Sequence, residues 1–316
     1  MKPNANKTMK TWQKAGLAIL LAITVVAGRL GTKNSARAYG GQLMFQSPDQ
    51  AGAALAEAAK NGDEETLGRI LGIDPKLLVT PSDEQAEKAA MEAFVSKYEK
   101  MNRWVAMTDG SQVLYIGADN LAFPVPLAKN ASDRWYFDAV AGAQEIRARD
   151  IGRNELLTID TCYALANAQE IYRADSDNSA YAQHIISSAG KEDGLYWPAT
   201  EQQGRSPLAG LSELAKSSVP SLTPDQPLVI DGYSLRILTA QGKDASGGAT
   251  SYIVNGKMTG GFAILATPIE YAETGIMTFM ISSDGVVYER DLGPDTTKIA
   301  ASIQEFNPTD DWSAVE

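Results

Sequence analysis

Residues 1–38 hold seven Lys or Arg and no Asp or Glu, and they enclose the only long apolar run of the chain, Ala15 to Gly28. A basic stretch (Lys2 to Lys14) before a short apolar core has the build of a secretory leader, because positive charge stays on the cytoplasmic side. The core is shorter than an ordinary membrane-spanning helix needs. Small residues follow as Ala36-Arg37-Ala38, a pattern that predicts cleavage before Tyr39. The competing readings are an uncleaved anchor through residues 15–28 and a buried core helix. No Cys follows the core, which argues against a lipid-anchored lipoprotein. Everything downstream must then fold around its own core, in an extracytoplasmic, periplasmic or secreted setting, or tethered to the inner membrane if the leader stays. On this reading the membrane is met only through the leader.

Losing the leader leaves 21 of the 28 basic residues against all 39 acidic ones, a formal charge of −18. Such a surface repels nucleic acid and anionic lipid and favours solubility. Cys162 is the only cysteine, so no intrachain disulfide can form and stability has to come from packing. The remaining 278 residues are enough for two modest domains.

The periodicities point to an α+β class. Ser47-Pro48-Asp49 opens an Ala-rich helix to Lys60, Asn61-Gly62-Asp63 breaks it, and Glu64 to Leu71 forms a second. Thr80 to Asp83 starts a third, Glu84 to Met101. Strands are expected at Arg103 to Met107 and Gln112 to Ile116, joined by a two-residue turn at Asp109-Gly110. An edge strand over Phe123 to Leu127 and a partner over Arg134 to Ala139 complete a first domain of helices on a small antiparallel sheet, residues 49–150. A second domain, residues 151–316, begins with a long helix from Asn154 to about Ala174. A Pro-rich loop region covers residues 198–229, with a short helix from Pro207 to Lys216. An antiparallel meander follows: Tyr233 to Thr239, Thr250 to Val254, Gly261 to Pro268, Gly275 to Ser282 and Val286 to Asp291. Asn255-Gly256 and Asp284-Gly285 mark its turns, and Pro294-Asp295 opens a terminal helix to about Gln304.

No catalytic set stands out. His184 is the only histidine, 22 residues beyond Cys162, and a pairing of the two needs a chain reversal. Asp175-Ser176-Asp177-Asn178 alternates carboxylates as calcium loops do, yet lacks the central Gly and the closing Glu. Asp175 and Asp177 are therefore candidate calcium ligands, and a helix-terminating turn explains the same residues. No other cofactor is expected, since the glycine pairs stand before strands or in turns rather than before a helix. Glu270 and Glu273 beside Tyr271 are candidate carboxylates by position alone. Trp197, Tyr233 and Tyr271 are candidates for a ligand surface, against the simpler role of core anchors.

Several phrases then carry a family resemblance. Ile151-Gly-Arg-Asn-Glu, Lys191-Glu-Asp-Gly-Leu-Tyr-Trp-Pro and Ser206-Pro-Leu are among them, with Arg236-Ile-Leu-Thr-Ala-Gln-Gly and Gly247-Gly-Ala. Asn255-Gly-Lys-Met-Thr-Gly-Gly-Phe-Ala and Asp284-Gly-Val-Val-Tyr-Glu-Arg-Asp-Leu-Gly-Pro-Asp-Thr complete the set. Over residues 49–312 the chain resembles domain-of-unknown-function family 2950, a family of exported bacterial proteins; the resemblance implies a compartment and no activity. The second half is faintly similar to the globular part of type IV pilin-like proteins, through Thr274-Gly-Ile-Met-Thr-Phe and Asp284-Gly-Val-Val-Tyr. It departs from them in placing its apolar run more than a hundred residues before the long helix. The functional expectation is an exported cell-envelope protein that binds an envelope protein or a small ligand without catalysis. The alternative is an exported hydrolase that uses carboxylates, with or without calcium.

Overall fold

The computed structural model describes residues 41–73, 84–175, 179–199, 204–209, 223–224 and 226–315. The leader with Ala36, Ala38 and Tyr39, the expected helix start at Thr80 to Asp83, and Asp177 lie outside these residues. So does most of the expected helix from Pro207 to Lys216. The chain is α+β and its contacts divide it into two units, the first ending at Arg149 and the second beginning at Asp150.

In the first unit, helix α1 (Pro48–Asn61) starts where the Ser47 hydroxyl accepts the Gln50 N–H and stops at Gly62, which takes the left-handed conformation (φ 62°). Helix α2 (Glu64–Leu71) repeats the device, with Asp63 accepting from Thr66 N and Gly72 closing the last turn. Helix α3 (Glu84–Lys100) leads into the sheet. Strands β1 (Asn102–Ala106), β2 (Gln112–Ile116), β4 (Leu127–Lys129) and β5 (Trp135–Phe137) lie in that order, and β3 (Leu121–Ala122) pairs with β2. Leu55, Ile70, Phe94, Leu114, Leu127 and Phe137 form the core.

Two expectations need correction here. The β1–β2 loop is longer than a two-residue turn, because Met107 N bonds Ser111 O and Gly110, at φ 86°, closes a turn on Met107 O. Phe123 to Pro126 is not a strand; the paired segments are Leu121–Ala122 and Leu127–Lys129 on either side. Pro124 and Pro126 have no N–H to give a ladder.

Helix α4 (Ala139–Asp175) begins fifteen residues earlier than its periodicity indicates. Asp138 explains the start: its carboxylate accepts from Val140 N and Ala141 N, both at 3.0 Å. The division between the units falls within this helix.

The second unit is built on a six-stranded antiparallel sheet, ordered β17-β16-β15-β14-β9-β8. Its strands are β8 (Leu228–Ile230), β9 (Tyr233–Leu238), β14 (Ala263–Pro268), β15 (Met277–Ser282), β16 (Val287–Asp291) and β17 (Ser313–Ala314). Central β14 is buried almost throughout, and its register sets Ile264 between Ile237 and Ile281. Cys162, Leu165 and Ala168 of α4 enter the same core. Strands β6 (His184–Ile186) and β7 (Gly194–Tyr196) form a parallel pair, and β10 (Ala240–Gln241) pairs with β11 (Thr250–Ser251). A hairpin joins β12 (Ile253–Val254) to β13 (Lys257–Met258) across Asn255-Gly256, whose φ values of 51° and 77° suit only such a turn. Helix α5 (Thr296–Ser302) follows β16. The Pro-rich stretch was expected to be loop to residue 229, yet Leu228 to Ile230 pairs with β9 across Asp231-Gly232.

Α4 is held to this sheet by polar bonds of the Ile151-to-Glu155 phrase. Asn154 Nδ2 donates to Thr274 O at 3.0 Å, and Glu155 Oε1 accepts from Ile276 N at 2.8 Å and Met277 N at 3.0 Å. The Tyr233 hydroxyl donates to Met277 O at 2.9 Å. No helix among the described residues is long and apolar enough to cross a membrane.

Candidate functional site

Four segments of the second unit line a hollow of about 320 Å³ near the end of α4. Tyr172 comes from the last turn of α4. Tyr181, Gln183 and His184 come from the chain entering β6, Asp193 from the β6–β7 connection, and Lys257 and Met258 from β13. Local bonds set each in place. Tyr181 N donates to Met258 O at 2.8 Å, and Gln183 Nε2 donates to Gly256 O at 3.1 Å, which ties the hairpin carrying Lys257 to the β6 segment. Gln169, wholly buried on α4, both donates to Ala182 O and accepts from Ala182 N, each at 2.9 Å.

The charges of the hollow are set by its turns. Asp193 Oδ1 accepts from Ser188 N at 2.7 Å and Oδ2 from the Ser188 hydroxyl at 2.8 Å. Burial pushes this carboxyl up, but the two Ser188 bonds, with Lys191 and His184 nearby, outweigh burial and hold it below the ordinary carboxylate range. Lys257 is exposed and makes no ion pair among the described residues. Tyr181 is a fixed wall: it donates to Glu170 at 3.1 Å and accepts from Arg173 at 2.8 Å, with the guanidinium 4.9 Å from its ring centre. Burial and the Glu170 carboxylate push its phenol up. Tyr172 donates to Glu192 O at 3.0 Å.

A second hollow, about 340 Å³, lies beside α5 and is lined by Met280, Arg290, Ile299, Ile303, Glu305 and Trp312 among others. Arg290 and Asp291 there are already engaged. Arg290 pairs with Asp311 at 3.3 Å, and Asp291 accepts from Gly293 N and the Tyr271 hydroxyl. Arg236 also serves this region, donating to the Ala300 and Ile303 carbonyls at the end of α5.

The residues singled out from sequence are dispersed. Tyr233 is wholly buried and Trp197 keeps 9% of its surface, with its indole N–H donated to Gly204 O. Tyr271 is half-buried in the β14–β15 connection. A ligand surface made by these three side chains does not form, because Tyr233 has no accessible face to give it. Glu270 and Glu273 lie in the same connection, where Thr274 N closes a turn on Glu270 O. Asp175 is exposed at the end of α4. Among the described residues no group of three or more His, Cys, Asp or Glu is placed to hold a metal ion. Cys162 is buried with its thiol pushed up to about 12 by desolvation, which leaves no thiolate for nucleophilic attack. The Ser188 hydroxyl donates to the Asp193 carboxylate at 2.8 Å. His184 was legible as a candidate. Asp193 and Lys257 were not: they are 64 residues apart and only the hairpin brings them to one cavity.

A family model matches residues 42–315; its description is protein of unknown function, DUF2950. No curated protein and no solved structure gives a significant match to the chain.

Proposed function

Because the chain belongs to the DUF2950 family of proteins of unknown function, a kinship that carries no activity, we propose that it is an exported cell-envelope protein. It holds a small polar ligand in the hollow at the end of α4 and does not transform it. One observation carries the binding reading: Lys257 and Asp193, of opposite charge, line a single cavity without pairing with each other. A volume of about 320 Å³ is at the lower end of the range that small-molecule sites occupy. The buried Cys162 thiol favours capture over covalent chemistry. The cationic, acid-free front segment and the acidic body favour export, and the acidic body also disfavours nucleic acid as a partner.

Two measurements test this. Cell fractionation with N-terminal sequencing is expected to find the protein outside the cytoplasm, beginning at Tyr39; full-length protein in the cytoplasm sinks the export half. A ligand-observed NMR screen of small polar compounds is expected to give binders that Lys257→Met weakens and that mass spectrometry recovers unchanged. Binders indifferent to Lys257→Met, or recovered as products, sink the other half.

A further inference from the structure

The hollow carries a more specific assignment, which rests on its reading as a binding site. We infer that it takes a zwitterion, a free α-amino acid, with the ligand carboxylate on Lys257 and the ligand ammonium on Asp193.

Opposite charges that share a cavity and do not meet are what a ligand bearing both charges requires. Lys257 is exposed and Asp193 half-buried, and a ligand of one sign would meet only one of the two charges that line the hollow. Asp193 is set for this role. Both of its oxygens are oriented by Ser188, yet a carboxylate has about four acceptor sites, so further donors are accommodated. Its one protein cation, Lys191, stands 3.8 Å away with a side chain 68% exposed, a solvent-facing partner of little strength. Gln183 adds a second acceptor for an ammonium. Its Nε2 donates to Gly256 O, and its side-chain carbonyl oxygen has no partner among the described residues that line the hollow. The bond to Gly256 O ties the hairpin that carries Lys257 to the β6 segment. His184 lines the same hollow near Asp193. Tyr172 and Tyr181 form the walls for the ligand's side chain. The Tyr181 ring is fixed by Arg173 and by an edge contact with Phe262 at 4.9 Å. A single amino acid matches about 320 Å³, whereas a long peptide does not.

Calorimetric titration of the whole protein with free α-amino acids of both hands tests the assignment, beside their N-acetyl and carboxamide derivatives. Blocking either charge of the ligand leaves the protein untouched, so a folding defect cannot imitate the result. At least one free amino acid is expected to bind, and each block is expected to weaken it about tenfold or more, the factor one charge-assisted hydrogen bond supplies. Lys257→Met is expected to erase the difference between the free and carboxamide forms while sensitivity to acetylation persists. Blocked forms that bind as tightly as free ones, yet still need Lys257, overturn the zwitterion and leave the binding site. Binding only of other polar compounds, again dependent on Lys257, does the same. Silence across amino acids and the wider panel overturns both.

Discussion

Gly275→Ala isolates the way the Tyr233 ring of β9 is packed beneath the connection from β14 to β15. A Cβ at residue 275 would lie 2.0 Å from the Tyr233 hydroxyl and 2.5 Å from Cζ of the same ring. Ordinary contact starts at 3.4 Å, so the hydroxyl must retreat by 1.4 Å (3.4 less 2.0). The ring is wholly buried and sits 5.8 Å from Phe279, so it has no open side to move into. A retreat of that size breaks the 2.9 Å bond to Met277 O. Losing a buried hydrogen bond costs about 1–3 kcal/mol and overpacking a further 1–3 kcal/mol. The two overlap, and about 3 kcal/mol is expected. For a unit of this size that lowers the melting temperature by roughly 6–12 °C. Scanning calorimetry suits the measurement because it separates the transitions of two units if they melt apart. Tyr233→Phe is the partner variant: alone it costs about 1 kcal/mol, and with Ala at 275 the pair costs less than the sum, since the closest clash has gone. A Gly275→Ala protein within about 0.5 kcal/mol of the parent would falsify the packing argument.

Three more outcomes can be checked. Glu155→Ala leaves the Ile276 and Met277 amides without their acceptor and is expected to cost about 2–5 kcal/mol in denaturant titration. Glu155→Gln keeps an oxygen there and should cost much less; equal losses would remove the hydrogen-bond account. Burial raises the Asp231 carboxyl above its ordinary range, with Arg153 pulling the other way. The folded state then binds its proton more readily than the unfolded chain, so ionised Asp231 opposes folding at neutral pH, and the penalty disappears as pH falls through the raised value towards 3.8. Asp231→Asn, well suited to φ 48° before Gly232, is therefore expected to melt no lower than the parent at pH 7, with the two converging in acid; a lower melting point at pH 7 contradicts this. Cys162, wholly buried, should label with a thiol reagent only as fast as the protein opens; rapid labelling of the native state would contradict its burial.

Fold class was legible because local signals were strong. Ser47 before Pro48, Asp63 three residues before Thr66, and the paired runs after Tyr233 each specify an element by short-range chemistry. The failures have equally local causes. The first fifteen residues of α4 were hidden because Gly142 and Gly152 dilute its pattern, and because Trp135-Tyr136-Phe137 drew a strand reading up to Ala139, past the Asp138 cap. Gly142 lies under Val125, whose methyls would be 2.8 Å from an added Cβ, a tertiary reason that no periodicity records. Short strands such as Leu228–Ile230 exist only because a neighbour accepts them. The hollow was the least legible feature. Its charged residues belong to unrelated segments and become a site only when two turns close.

The phrases that identify the family explain why kinship transmits no activity. Asn154 and Glu155 fasten α4 to the sheet, and Arg236 closes the last turn of α5. Gln241 Nε2 donates to the Ser246 and Gly248 carbonyls while its Oε1 accepts from the Tyr252 hydroxyl. Asp284 and Gly285 make a turn, and Trp197 ties down Gly204. Each holds the chain's own turns and elements in place, which is a demand of the fold and not of a reaction. Two residues in those phrases exceed that demand. Lys257 follows a turn that Asn255-Gly256 already completes, and no bond of the hairpin needs its ammonium. Asp193 orders the Ser188 turn and still faces the cavity. A charge that the fold does not use, opposite one that it uses only in part, is where a function can be sought in a chain whose other signals concern its own assembly.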